Sequence, residues 1–305
     1  MSTPPQRALR IGTRRSALAL AQAEQVAALL GGCEIVPMQT SGDRGAKAGE
    51  KSRWVGELER ALQAGEIDLA VHSAKDVPAE LGEGLALHGA PARAGAEDVL
   101  CGAGGLQDLA PGARVGTSSV RRLAQLRAAR EDLDVVAVRG NVDTRLRKLG
   151  DPGERLDAIV LARAGLQRLG REAEAGASLE GERFVPAPGQ GILALEGRAE
   201  DERARGAARA ITDAQTFACL LAERALARAL DASCHTPLGA HAAPAEGGRL
   251  LLRAWAGLPD GSAWIADESP GVGDEPEALG RRVAERLIAV GAAELLAQAE
   301  RMAVC

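Results

Sequence analysis

The sequence predicts an α/β protein that ends in a separate α+β domain, and three observations lead there. Strand-like and helix-like segments alternate through the first two-thirds of the chain, which implies helices packed on mostly parallel sheets. Beyond residue 213 the alternation stops, and short strands are followed by a helix-period segment. The composition is globular, with 305 residues, 46% hydrophobic and 26% charged. A chain of that length holds roughly two domains of about 150 residues, or three smaller ones.

Residues 8–13 read as a short strand, and Ser16 stands where it caps a helix running to about Leu30. Residues 34–39 form a second strand; Gly42, Gly45 and Gly49 then space a loop before a helix near 55–64. A compact buried strand at 67–71 follows, then strands at 85–88 and 99–102 with Pro and Gly turns between them. A second series runs strand 114–116, helix 119–130, strand 135–138, helix 141–149 and strand 158–161. The run 184–191, with two prolines and two glycines, breaks the alternation and reads as a crossover. Asp213 can cap a long helix whose Phe217, Leu220 and Leu221 share one face. Strands at 249–256 and 262–266 are joined by the turn Pro259-Asp260-Gly261. The closing helix carries Leu279, Val283, Leu287 and Val290 at helical spacing.

Charge and composition exclude several function classes. With 37 Lys+Arg against 42 Asp+Glu the formal charge is −5, so no nucleic-acid partner driven by bulk charge is expected. Aromatic residues are only 2% and Tyr is missing, which leaves little for base stacking. No apolar run is long enough for a membrane span, and the opening residues lack the apolar core of a signal peptide. Cys33, Cys101, Cys219, Cys234 and Cys305 are scattered without a CxxC pair, a usage that points to a reducing cytoplasm. His72, His88, His235 and His241 are not at zinc-ligand spacing, and no metal is expected.

Polar clusters at strand-to-helix junctions carry the chemistry. Thr13-Arg14-Arg15-Ser16 follows the first strand. The run 116–122, with Thr117, Ser119, Arg121 and Arg122, follows another, and Arg139-Gly140-Asn141 with Arg145 follows a third. Each sets hydroxyls or amides at a helix N-terminus, where free N–H groups favour an anion, and adds guanidinium forks that match carboxylates or phosphates. A capped helix with solvated arginines would look the same at any one junction. Three at equivalent strand ends imply a ligand with several negative charges. His72-Ser73-Ala74-Lys75-Asp76-Val77-Pro78 follows the strand at 67–71; it can present an ammonium and a carboxylate together, or close a turn with an ion pair. Cys33, Cys101 and Cys219 suit core filling, whereas Cys234 sits in a loop after the long helix, as a functional thiol can.

Together the stretches TRRSALALAQA, TSGD, HSAKDVP, VGTSSVRRLAQL, RGNVDTRLRKL, AGLQRLG and PAPGQG, and Cys234 followed shortly by PLGA, resemble the porphobilinogen deaminase family over nearly the whole chain. The resemblance implies two periplasmic-binding-protein-like (type II) α/β domains, 1–93 with 189–211 and 97–186, plus a C-terminal α+β domain at 213–305. It implies a transferase, a hydroxymethylbilane synthase, that condenses four porphobilinogen molecules head to tail with loss of ammonia and releases linear hydroxymethylbilane for tetrapyrrole biosynthesis. It implies one dipyrromethane cofactor, fixed by a thioether to Cys234, and Asp76 as the catalytic carboxylate. Arg14, Ser16, Lys75, Thr117, Ser119, Arg121, Arg122, Arg139, Arg145, Arg168 and Gln190 fall at its cofactor- and substrate-binding positions. Lys47, Lys51 and Trp54 fall in its mobile active-site loop, where Lys51-Ser52-Arg53-Trp54 departs from the common pattern of a glycine beside the second lysine and a Phe further on. Asp231-Ala232-Ser233 likewise stands before Cys234 where glycines are common. A cytoplasmic monomer is the family expectation. Two rival readings are a polyanion solute-binding protein without catalysis, and a hydrolase using Cys234 with His235.

Overall fold

The computed structural model describes residues 8–39, 52–233 and 235–303, and these divide into two compact units, Met1–Arg93 with Ile192–Phe217, and Ala94–Gly191 with Ala218–Cys305. In the first unit β1 (Arg10–Arg14), α1 (Ala17–Leu29), β2 (Glu34–Met38), α2 (Ser52–Gln63), β3 (Leu69–Ser73) and β4 (Leu85–Gly89) follow the expected alternation. In the second unit come β5 (Asp98–Cys101), β6 (Arg114–Gly116), α3 (Val120–Ala129), β7 (Asp134–Val136), α4 (Val142–Leu149), β8 (Ala158–Ala162), α5 (Arg163–Arg168) and β9 (Ser178–Leu179). The chain then returns to the first unit through β10 (Leu193–Arg198) and α6 (Glu202–Ala210).

The first sheet runs β2-β1-β3-β10-β4, parallel through β2, β1 and β3, with β10 antiparallel to both its neighbours. The second runs β7-β6-β8-β5-β9, parallel through β7, β6 and β8, with β5 antiparallel to β8 and β9. Each sheet is thus mostly parallel, as expected, with four strands running one way and a single strand, β10 or β5, running against them. Parallel neighbours need a crossover helix, and β5 and β10 are entered from the other unit without one. Ile11, Val26, Leu69, Val71 and Leu195 fill one face of the first sheet, while Leu58, Leu62 and Ile67 seal α2 against the other. Leu100, Val115, Leu126 and Val160 form the core of the second.

The remainder of the chain comprises α7 (Ala214–Ala229), β11 (Leu238–Ala245), β12 (Arg249–Gly257), β13 (Trp264–Val272), α8 (Pro276–Ala289) and α9 (Ala292–Ala303). Asp213 caps α7 as expected, its Oδ1 accepting from Thr216 N at 2.7 Å. The three strands form an antiparallel sheet whose buried face packs on α7, α8 and α9. Strand β11 and helix α9 were not in the sequence reading, and two boundaries differ from it. The strand expected at 262–266 is β13, which runs on to Val272, and Val290 is 64% exposed, so the apolar stripe of the last expected helix ends at Leu287. The segment 184–191 is irregular, as expected, and it ties this region to the second sheet: Ala240 N donates to Pro186 O at 2.8 Å, and Val185 packs with Ala124 of α3 and Trp255 of β12. Gly191 at the end of that segment has φ +85°, and a Cβ there would come within 2.6 Å of Ala94 O. Only glycine fits both demands. Among the described residues no helix is long and apolar enough to cross a membrane.

Candidate active site

In the first unit the carboxyl ends of β1 and β3, neighbouring parallel strands, bring candidate residues to one edge. Arg14 is the last residue of β1, and Lys75 and Asp76 occupy the single 3-10 turn after β3. That edge is where open α/β sheets bind ligands. Ser16 opens α1 as its cap, accepting from Ala19 N at 3.3 Å, and buried Thr13 donates to Ala19 O at 3.0 Å. The turn itself is pinned. Gln22 Nε2 of α1 donates to Ser73 Oγ at 2.8 Å, and Ala74 N donates to Ile192 O at 2.9 Å. Lys75 and Asp76 stay half-buried on this rigid footing. Behind them His72 Nε2 lies 2.9 Å from Glu196 Oε2 in an almost sealed part of the sheet, which is how β10 carries an acid through a buried strand.

The second unit repeats the device. Thr117 follows β6, and its Oγ1 accepts from Ser119 N at 3.2 Å; Ser119 then caps α3 through Arg122 N. Asn141 caps α4 through Thr144 N at 2.9 Å, and Arg145 Nε donates to Gly140 O at 2.8 Å. Arg139, after β7, is exposed, and Arg168 closes α5 after β8. Because β7, β6 and β8 are parallel neighbours, Thr117, Ser119, Arg139 and Asn141 fall at one carboxyl edge, where helix N-termini reinforce the attraction for anions, whereas Arg168 stands at the far end of α5.

Arg121 and Arg122 are held by a residue the sequence reading did not single out. Asp98, 3% exposed, receives Arg121 Nη1 at 2.7 Å on Oδ2, and Arg122 Nε at 2.9 Å and Gln190 Nε2 at 2.8 Å on Oδ1. Burial alone would raise the Asp98 carboxyl, but the two guanidinium groups outweigh it and hold it well below the usual carboxylate range. Gln190 is fully buried and also donates to Ala96 O at 2.6 Å. The only hint of Asp98 in the sequence is an acid opening an apolar strand. Glu223 of α7 was missed too. It is wholly buried, accepting from Gly189 N at 2.6 Å and from Ala242 N at 2.8 Å.

Arg168 differs from the other arginines. Nη2 donates to Gly191 O at 2.7 Å, while Nε is buried without a partner among the described residues. Burial, with no acid among the described residues to offset it, pushes its guanidinium down to about 10. A half-buried cation whose Nε is sealed from water gains from a carboxylate brought by a ligand. Among the cysteines, Cys101 is sealed in β5, where burial pushes the thiol up to about 11, in keeping with core filling. Lys47, Lys51 and Cys234 lie outside the described residues, and Trp54 is a position in α2 whose side chain is likewise outside them. On either side of Cys234, Ser233 N donates to Thr236 Oγ1 at 2.9 Å, and Thr236 Oγ1 donates to Glu300 Oε1 of α9 at 2.6 Å.

Each of the two α/β sheets carries capped helices and cations at its carboxyl edge, and the first adds a Lys–Asp turn, an arrangement of the kind that suits anionic groups. Residues 9–206 match the family domain described as porphobilinogen deaminase, dipyromethane cofactor binding domain, and residues 217–289 match the porphobilinogen deaminase C-terminal domain. The chain is 48% identical to the porphobilinogen deaminase of Xanthomonas axonopodis pv. citri (strain 306), over 95% of this chain and 99% of that one. It is 45% identical to that of Thiobacillus denitrificans (strain ATCC 25259 / T1), over 94% and 97%. Among solved structures, an ABC transporter periplasmic substrate-binding protein from Coxiella burnetii aligns over 67% of this chain and 91% of its own, at 16% identity and a TM-score of 0.43. The chain belongs to the porphobilinogen deaminase family. It is a transferase of the hydroxymethylbilane synthase type, with that family's dipyrromethane cofactor-binding domain.

Proposed function

We propose that the reaction runs at Asp76, with Arg14 and Lys75 beside it on the same strand edge, and that Cys234 holds the dipyrromethane through a thioether. The observation that supports this most is the arrival of Arg14 and Asp76 at the carboxyl ends of adjacent parallel strands. The largely buried guanidinium of Arg168, with no acid against it among the described residues, fits a group that carries acetate and propionate arms. Six linked pyrroles would present about a dozen carboxylates, which an acidic chain can hold only with locally gathered forked cations such as Arg121, Arg139, Arg145 and Arg168. When bound, the dipyrromethane supplies the pyrrole carbon to which the first substrate joins.

Asp76 acts on the substrate. The C–N bond of its aminomethyl group breaks and ammonia leaves, so the remaining methylene shares a positive charge with the pyrrole N–H. A carboxylate held on a rigid turn stabilises that cation where it develops, without reorganising. As the new C–C bond forms, the displaced ring proton needs an acceptor, and in this reading Asp76 takes it up. Lys75 and Arg14 offer cations to the substrate's own carboxylates and so orient it.

The same reading divides the chain into three domains, 1–93 with 189–211, 97–186 and 213–305, in keeping with three sheets and their separate cores. It takes the protein to be a cytoplasmic monomer; the scattered cysteines suit a reducing compartment. Incubation of the purified chain with porphobilinogen tests it. Four ammonia released per linear tetrapyrrole is the expected stoichiometry, and binding without ammonia release would instead mark a solute-binding protein.

A further inference from the structure

We infer that Asp98 is a positioning residue, which consumes Arg122 and leaves one edge of Arg121 as the group offered to a ligand carboxylate. The inference rests on the reading that this arginine pair serves the polycarboxylate ligand. Asp98 begins β5 with Ala162 of β8 on one side and Leu179 of β9 on the other, so its carboxylate is rooted in the interior of the sheet. Arg122 spends every nitrogen: Nε and Nη2 on Asp98 Oδ1, at 2.9 and 2.7 Å, and Nη1 on Val160 O at 2.9 Å. Arg121 spends only Nη1, which meets Asp98 Oδ2 at 2.7 Å, Gln125 Oε1 at 2.8 Å and Val185 O at 3.0 Å.

The two arginines, adjacent on the first turn of α3, therefore do different things. Arg122 orients Asp98, and Asp98 fixes the plane of Arg121. The Nε and Nη2 of Arg121 are then the side-by-side pair that accepts a carboxylate in a forked contact. Gln190 gives Asp98 Oδ1 another donor at 2.8 Å, which couples the segment 184–191 to the same carboxylate. One carboxylate against two guanidinium groups leaves the cluster one positive charge in excess, the sign an anionic ligand needs.

A role in charge balance alone predicts the opposite behaviour from a role in position. If Asp98 only tempers the charge, Asp98→Asn makes the site more positive and lowers KM for porphobilinogen, and Asp98→Glu changes nothing. If Asp98 positions Arg121, both variants misplace the fork, and KM rises on the order of tenfold or more in each, since a shift of about 1 Å is costly at such a contact. The fraction that acquires the dipyrromethane mass during incubation with porphobilinogen falls in parallel, while kcat per loaded molecule changes less than KM. Asp98→Glu carries the test if Asp98→Asn does not fold. Gln190→Met, which removes one of the donors to Oδ1 along with the bond to Ala96 O, carries it if neither does, with a smaller rise in the same direction. Wild-type KM and loading in folded Asp98→Glu, or in Gln190→Met when that variant carries the test, would overturn the inference. Arg121→Leu separates the two levels. If it too leaves KM and loading unchanged, the reading of the arginine pair as a ligand site fails; if it impairs them while the Asp98 variants do not, only the positioning role falls.

Discussion

Arg122 Nη2 lies 2.7 Å from Asp98 Oδ1 where the two side chains are only 7% and 3% exposed. A charge pair so deeply buried ties the arginine cluster to the acid response of the fold. Breaking such a pair by removing one partner costs about 3–5 kcal/mol, because the other charge stays buried.

Asp98 therefore makes the protein acid-sensitive. Its carboxyl is depressed in the folded chain, so between the folded value and the unfolded value of about 3.9 the unfolded chain binds more protons. The stability Asp98 contributes is present above the unfolded value and is lost as pH falls through the folded one. Urea midpoints at about pH 5 and pH 3 should fall more steeply for the wild type than for Asp98→Asn. Parallel curves would remove Asp98 from the acid response.

Asp76→Asn keeps the size of the side chain and loses its charge. The variant should fold, acquire its dipyrromethane and bind porphobilinogen. Its kcat should drop on the order of a hundredfold or more, the scale set by removing one group that stabilises transition-state charge. Steady-state kinetics with intact mass on the same sample checks both halves, and near-normal turnover would exclude the role.

Arg168 should show opposite effects in the unloaded and loaded protein. Its charge is largely buried with no acid against it among the described residues, so Arg168→Met relieves a desolvation cost and should stabilise the unloaded chain by about 1 kcal/mol, net of the lost hydrogen bond to Gly191 O. The same variant should lose on the order of tenfold or more in kcat/KM. Melting of the cofactor-free protein, compared with turnover of the loaded one, reads the two effects separately.

Asp231 closes α7 at φ +49°. Its N–H reaches Arg228 O at 3.0 Å and Ala232 N reaches Ala227 O at 2.9 Å, the paired bonds of a helix end that glycine normally occupies. A left-handed non-glycine residue costs roughly 1–2 kcal/mol, so Asp231→Gly should raise the melting temperature by roughly 1–3 °C. An unchanged or lower melting temperature in a thermal scan would mean that the Asp231 side chain offsets this strain.

Much of the fold was legible because its elements carry local signals. Ser16, Ser119 and Asn141 mark helix starts that the structure reproduces, each capping the helix that follows it. The strand β10 was missed because its acid, Glu196, masks a buried strand until His72 is seen diagonally across the ladder from it, two residues along from Ala70, which faces Glu196 directly. Strand β11 was missed because Leu238–Ala245 is rich in Ala with Gly and Pro, residues of low strand propensity that tertiary pairing overrides. At the site, the junction clusters were visible as motifs. Asp98 and Glu223 were not, since each works through partners far away in sequence, and nothing local marks a buried acid as satisfied. The different duties of Arg121 and Arg122 were invisible for the same reason.

The central claim is that Cys234 carries a pyrrole cofactor built from the substrate. Intact mass spectrometry of the purified protein beside Cys234→Ser tests it most directly. The account predicts a wild-type mass exceeding the chain by two linked pyrrole units, with that excess missing from Cys234→Ser. A folded wild type that stays at the mass of the bare chain after incubation with porphobilinogen, or an equal excess on Cys234→Ser, would contradict it.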